Sequence, residues 1–300
     1  MQKTMKRNDY WRNYQKKKPD FRFSQLGKLE ELFIKKKWPI KDKDEERSLF
    51  GKYEKMLSQL TVCQQDFIIK LTENFIWIKG DEYIKCLIDV VKQVRESVGD
   101  KIIYFAPCKP ISDKGLIKSS DYVWYSLRDN IFRYEMDLGK IEMINGLEDV
   151  NQKLLLNDKA VLVLVDDFIG SGGTACKALV SIYKLYQNLY QRKPYNGSIK
   201  VLAIVVQEVG LKELEDVGVE VFYSKIAKRG IADQDITEEE KKRMYDMMKQ
   251  IEIPILKDKY ERYHCGYAQS EALVSMIRCP NNTFPIYWFF SEKSPYARFK

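Results

Sequence analysis

The sequence predicts an α/β protein, with a parallel sheet placed between an α-helical N-terminal section and a mixed C-terminal region. Three observations predict it. Short apolar runs recur at KIIYFAP (101–107), VLVLV (161–165) and IKVLAIVV (199–206), and continuous apolar runs of this length read as strands buried on both faces. Segments with helical spacing separate them, and strands alternating with helices give a parallel sheet with right-handed crossovers. Before Gly99 the pattern is helical instead.

Each element has its own signal. Leu26 to Leu60 keep mostly helical spacing, broken near Trp38 and Pro39. Thr61 and Gln64 form a capping box, in which the hydroxyl accepts from the N3 amide and the glutamine reaches back. Phe67, Ile68, Leu71, Phe75 and Ile76 then hold helical spacing, and a further helix spans Asp81 to Ser97. After the strand at 101–107, residues 119–130 predict a helix capped by Ser119 or Ser120, and 145–156 another. VLVLV is followed by a helix from Thr174 to Tyr190, the strand IKVLAIVV, a short helix at 209–216 and the strand VEVFY (219–223). Thr237 and Glu240 form a second capping box, opening a helix to Ile251. A helix is expected over 271–278, and PNNT (280–283) turns the chain into an aromatic strand, FPIYWFF. The division is 1–97 helical section, 98–225 α/β core and 226–300 C-terminal hood.

Composition narrows the function. Three hundred residues with 45% apolar content can bury a real core. No apolar run is long enough to span a bilayer, and the basic N-terminus lacks the apolar stretch of a signal peptide, so a cytoplasmic protein is expected. The six cysteines form no C-x-x-C and the chain has one histidine, His264, which disfavours a zinc site and a disulfide framework. Cys265 beside His264 leaves Cys-His catalysis formally open, although sequence neighbours rarely point at each other. Residues 1–60 hold 17 Lys and Arg against 9 Asp and Glu, so the net charge of +8 lies there. Such a section reads as a solvated helical surface or as a contact for nucleic acid or an acidic partner.

VLVLVDDFIGSGGTACKALV (161–180) carries the chemistry. Its strand–loop–helix order places the loop at the carboxyl edge of a parallel sheet, where open α/β folds bind ligands. Glycines allow backbone amides to approach an anion, and a helix N-terminus adds its dipole. Ser171 and Thr174 add hydroxyl donors. A Walker A loop would need a lysine that is absent here. A dinucleotide fingerprint is matched literally by Gly170, Gly172 and Ala175, but DDFI separates them from the strand, and Glu208 is too distant to be its acid. The plain alternative is a strand with a solvated acidic end and a glycine turn.

Residues 162–174 resemble the phosphoribosyl pyrophosphate (PRPP) loop of type I phosphoribosyltransferases: four apolar residues, two acids, two apolar residues, then a small-residue turn ending in threonine. The resemblance implies that Asp166 and Asp167 accept from the ribose 2′- and 3′-hydroxyls and stabilise an oxocarbenium-like ring. It implies that Gly170, Ser171, Gly172, Gly173 and Thr174 hold the 5′-phosphate, with Mg²⁺ held mainly by the ligand. Phe168 is bulkier than the usual aliphatic. Gly170 stands where purine-salvage members carry an aspartate, so the usual 6-oxopurine mechanism is not expected. LTVCQQDFIIKLTENFIWI, the KSS at 118–120, GYAQSEAL (266–273) and PNNTFPIYW (280–288) further resemble the PRTase-CE domains of bacterial conflict systems. That resemblance implies an anti-phage effector beside an ATPase or a retron reverse transcriptase and its non-coding RNA. A non-catalytic nucleotide sensor is the alternative it leaves.

Other site candidates follow from position. PCKP (107–110) follows the first strand, where the fold puts its pyrophosphate loop; the small-residue turn is missing, but Lys109 offers charge. Lys118, Ser119 and Ser120 at a helix start are a second phosphate candidate, with simple capping as the alternative. Lys228 and Arg229 lie where a last substrate loop would fall, or are a solvated pair. Asn281, Asn282 and Trp288 are candidates for a base pocket, or a turn with a core aromatic. The base, the direction of reaction and the oligomeric state stay open.

Overall fold

In the computed structural model the described residues are 23–40, 48–133, 138–155, 157–190, 198–289 and 294–296. Residues 1–22, the most basic part of the N-terminal section, lie outside them. The chain forms two compact units. One comprises Met1–Ile76, Arg229–Ser275 and Asn281–Lys300, the other Trp77–Lys228 and Met276–Pro280.

The first unit is mainly helical. It contains α1 (Phe23–Lys35), α2 (Leu49–Leu57) and α3 (Val62–Thr72), and the box of Thr61 and Gln64 closes in both directions as predicted. Aromatic rings fill its centre. Phe33 meets Trp38, Phe50 and Tyr53 edge-on, with centroids 5.2, 5.1 and 5.4 Å away. Phe75 lies 4.8 Å from Tyr287, whose hydroxyl is 2.8 Å from Thr72 Oγ1. The capping box of Thr237 and Glu240 opens a long helix in this unit, Glu238–Leu256, which continues through Pro254 past its expected end at Ile251.

The second unit is a five-stranded, all-parallel sheet. In chain order, α4 is Gly80–Val98, β1 Ile102–Pro107, α5 Ser119–Arg133, β2 Ile141–Met143, β3 Ala160–Ile169, α6 Gly173–Tyr190, β4 Ser198–Gln207, α7 Glu208–Asp216 and β5 Glu220–Ala227. The strand order is β2-β1-β3-β4-β5, so the chain reverses direction across the sheet between β1 and β3. Such a switch point leaves a crevice outside the carboxyl ends of the two strands, since their crossovers depart to opposite faces. Register sets Pro107 beside Val165, so β1 ends one residue before the acid pair.

The units differ from the sequence division. Helix α4 joins the sheet, because its buried stripe of Tyr83, Leu87, Val90, Val91 and Val94 packs on β4 and β5. Two local expectations are corrected. Residues 271–278 form no helix: Glu271 has φ 49°, and its carboxylate accepts from the amides of Ile231 and Ala232. Val274–Ser275 is extended instead. FPIYWFF forms no strand through 285–287, where Pro285 opens a 3-10 turn. Residues 145–156 carry a 3-10 turn at 147–149 and a short helix at 152–155.

Candidate functional site

Strand β3 is longer than its apolar run. It extends through Asp166 and Asp167 to Ile169, and all ten residues are buried. Both acids are 7% exposed, so the pair is not a solvated strand end. Successive strand residues point to opposite faces. Asp166 therefore shares the side of Leu162 and Leu164, which packs against α6, and Asp167 the side of Val163 and Val165. The two carboxyl groups nonetheless stay within hydrogen-bonding reach of each other and of Ser119.

Repulsion is not abolished. Burial pushes the Asp166 carboxyl well above the usual carboxylate range, and the charge of Asp167 adds to it. Burial also raises Asp167. Two donors oppose this at Asp166: its Oδ1 accepts from Ser119 Oγ at 2.8 Å and from the amide of Asp167 at 2.9 Å. The fully buried Tyr83 is close enough for the charges of Asp167 and Asp166 to raise its phenol, after the larger effect of burial. Among the described residues its hydroxyl has no hydrogen-bond partner.

The glycine loop follows at once. Gly172 has φ +78°, a conformation natural to glycine, and its carbonyl accepts the first helical bond of α6, from Cys176. The amides of Gly173, Thr174 and Ala175 precede that bond and have no intrahelical acceptor, as at any helix start. Gly173 and Thr174 are exposed, Ser171 half-buried and Gly170 buried. The loop is clamped from behind by Gly210 in the first turn of α7. A Cβ built there would stand 2.2 Å from the carbonyl oxygen of Gly170 and 3.0 Å from the amide of Gly172.

The remaining candidates divide between the units. Lys109 and the KSS segment lie at the same sheet edge as the acids. Lys109 Nζ donates to Asp121 at 2.8 and 3.1 Å and to the Leu116 carbonyl at 3.1 Å. Lys118 Nζ is 3.4 Å from Asp113. Neither serine hydroxyl caps α5. Asp121 accepts from the Lys118 amide instead, at 2.7 Å, which frees Ser119 for Asp166 and leaves the Ser120 hydroxyl buried without a partner among the described residues. Lys228 is exposed just past β5. Arg229 belongs to the other unit and is held by Asp233, with Nε and Nη2 donating at 2.9 and 2.7 Å. Asn281, Asn282 and Trp288 also belong to that unit. The Asn281 carbonyl accepts from the Tyr267 amide, Asn282 Nδ2 donates to Ser270 at 2.9 Å, and the Trp288 indole donates to the Thr283 carbonyl at 2.7 Å.

His264 and Cys265 form no catalytic pair. The imidazole Nδ1 lies 3.0 Å from the Tyr260 carbonyl oxygen, and burial pushes the Cys265 thiol far up, which keeps it protonated. Sequence reasoning missed Tyr83, Asp121 and Gly210. Only Gly210 carried a signal, as an isolated glycine inside a helical pattern, which usually has a packing reason.

Among the described residues no helix is long and apolar enough to cross a membrane. No curated protein matches the chain. Solved structures it is similar to include Helicobacter pylori xanthine-guanine-hypoxanthine phosphoribosyltransferase, at 11% identity over 51% of this chain and 84% of that one, with a TM-score of 0.29. A protein from Aquifex aeolicus is similar at 16% identity over 60% and 84%, with a TM-score of 0.30. A hypothetical protein from Neisseria gonorrhoeae with bound ppGpp is similar at 11% identity over 57% and 96%, with a TM-score of 0.28. The PRTase-CE family pattern matches residues 41–298, most of the length, and the chain belongs to that family.

Proposed function

We propose that the chain binds a phosphoribosyl nucleotide or PRPP and acts at ribose C1, as a nucleotide-degrading or nucleotide-modifying effector of bacterial defence. One observation carries this reading: a buried acid pair at the switch point of a parallel sheet, followed directly by a glycine loop that opens a helix. The loop amides and Thr174 hold the 5′-phosphate. The acids accept from the ribose hydroxyls and, once ionised, stabilise positive charge on the ring as the C1 bond breaks. In the degradative direction water or pyrophosphate bonds to C1 as the C1–N bond breaks. With water, one of its protons ends on the departing base.

Magnesium fits this site as an ion shared with the ligand. Among the described residues no three His, Cys, Asp or Glu side chains converge to hold a metal. Asp166 and Asp167 supply carboxylate oxygens, and one or two carboxylates plus substrate oxygens suit magnesium. Bound there, the ion supplies neutralisation of phosphate charge beside the acids.

The test is base release from a panel of nucleotides, NAD and PRPP with Mg²⁺, with and without the proteins encoded beside this one. Asp166→Asn with Asp167→Asn is expected to abolish release and leave the fold intact; full activity in that double variant would refute the assignment. The burial that disfavours ionisation of both acids supports a second reading, a sensor without chemistry. Tight calorimetric binding with no base or pyrophosphate released on long incubation would select it.

A further inference from the structure

We infer that the ligand at this site is a nucleoside 5′-monophosphate, with an uncharged aromatic base at C1, and not PRPP. The inference rests on the phosphoribosyl reading above. It comes from the charge and surface of the segment between β1 and α5, residues 108–118, which borders the acid pair on the β1 side of the switch point.

Whatever leaves C1 must be accommodated next to the ribose. A 1-diphosphate brings several negative charges there, and the cations of this segment are already matched. Lys109 is paired with both oxygens of Asp121, and their side chains are only 14% and 28% exposed. Lys118 faces Asp113, and Lys114 faces Glu148, each at 3.4 Å. The Lys109–Asp121 pair is further fixed, because Asp121 also holds the Lys118 amide at the start of α5. With two buried carboxylates beside it, this segment has, among the described residues, no lysine that lacks a carboxylate partner to offer a diphosphate.

The same edge offers apolar and aromatic surface. Ile117 is 89% exposed and Leu116 54%, although both are large aliphatic residues. Tyr122, one turn into α5, is 45% exposed and meets Tyr83 edge-on at 5.8 Å. Tyr83 in turn feels the charge of the acid pair. The half-exposed Tyr122 thus packs on the buried Tyr83, which lies beside the acids. Bases stack on such side chains with little regard to identity, because every base has a π-face. The sheet edge thus suits a base at C1 and opposes a diphosphate. Water is then the nucleophile: its oxygen bonds to C1, the C1–N bond breaks, and the products are free base and ribose 5-phosphate.

Calorimetry with purine and pyrimidine nucleoside 5′-monophosphates, ribose 5-phosphate and PRPP, each with and without Mg²⁺, tests this on the full chain. A monophosphate is expected to bind about tenfold or more tighter than either other ligand, the range that one stacked base contributes. Tyr122→Ala is expected to remove that advantage and leave ribose 5-phosphate binding unchanged. Asp121→Asn keeps an acceptor for the Lys118 amide but frees the Lys109 charge, so PRPP affinity is expected to rise about tenfold, as one charge-assisted contact allows. The fold of both variants is checked by their retained binding of ribose 5-phosphate. PRPP as the tightest ligand of the unaltered chain would overturn this inference and leave the phosphoribosyl reading standing. Failure of every phosphoribosyl compound to bind would overturn that reading itself.

Discussion

Gly210→Ala tests whether the glycine loop is a built cradle. The added Cβ would stand 2.2 Å from the carbonyl oxygen of Gly170, 3.0 Å from the amide of Gly172 and 2.9 Å from Ile169 Cγ2. Carbon and oxygen rest in contact at about 3.3 Å or more, so backbone must yield by roughly 1 Å. No flexible side chain absorbs that shift at Gly170, because the clashing atom there is main chain. Overpacking of this kind costs about 1–3 kcal/mol of stability. A 1 Å displacement of groups that position a reacting ligand costs about 100-fold in turnover. Thermal denaturation reads the first effect, and base release with calorimetric affinity for a nucleoside monophosphate reads the second. Gly27→Ala in α1 is the control: nothing lies within 4 Å of its Cβ, and a helical alanine gains about 0.5–1 kcal/mol over glycine. Unchanged ligand affinity in Gly210→Ala, alongside a lowered melting temperature, would show that the loop does not hold the phosphate.

Other substitutions probe the acids. Asp166→Asn with Asp167→Asn is expected to raise the melting temperature at neutral pH while abolishing ligand binding, because raised folded pKa values mean that ionisation costs stability as pH climbs above the unfolded range; a fall in melting temperature at neutral pH would contradict this. Ser119→Ala removes a hydrogen bond that lowers the Asp166 pKa, so the acidic limb of the pH–rate profile should move to higher pH, and an unmoved limb would deny Ser119 that role. In the helical unit burial pushes the Glu54 carboxyl to about 8 from its ordinary 4.5. Its cost to stability is absent below the ordinary value and grows by about 1.4 kcal/mol per pH unit above it, or roughly 3 kcal/mol at pH 7. Glu54→Gln should therefore stabilise by about that amount at pH 7 and by little at pH 4, where denaturant curves showing equal gains would sink the argument.

What the sequence made legible is what local chemistry decides. The capping boxes at Thr61 and Thr237 need residues only three apart, and both form. VLVLV reads as a buried strand without help from its neighbours, and the glycine turn after it is visible in the same way. What stayed hidden depends on partners distant in the chain. Asp is a poor strand residue, so nothing local says that β3 continues through two of them; parallel pairing with β4, Asp166 beside Ala203 and Phe168 beside Val205, carries it on. The edge strand β2 is three residues long and too short to show alternation. Helical spacing over 271–278 loses to a buried carboxylate tied to the Ile231 and Ala232 amides. At the site, the role of Ser119 was unreadable because capping and reaching Asp166 use the same hydroxyl. Asp121 settles the choice by taking the Lys118 amide.

The acid pair also explains why the fold tolerates a local conflict. A central strand buried on both faces favours Val and Ile, and β3 supplies them until Val165. Two carboxylates then occupy strand positions where apolar side chains would pack without penalty. Replacing them would improve the empty protein, and the sequence does not take that course. Conflicts between local preference and the global fold are expected where function requires them. Here the cost falls on the ligand-free state and is relieved by a partner that donates hydrogen bonds to the acids or carries positive charge near them. On the proposed function, a ribose with two free hydroxyls would do the first, and its oxocarbenium-like form the second. On that proposed function, such an arrangement would stabilise the reacting ring more than the resting ligand, which is the condition for accelerating a bond change at C1.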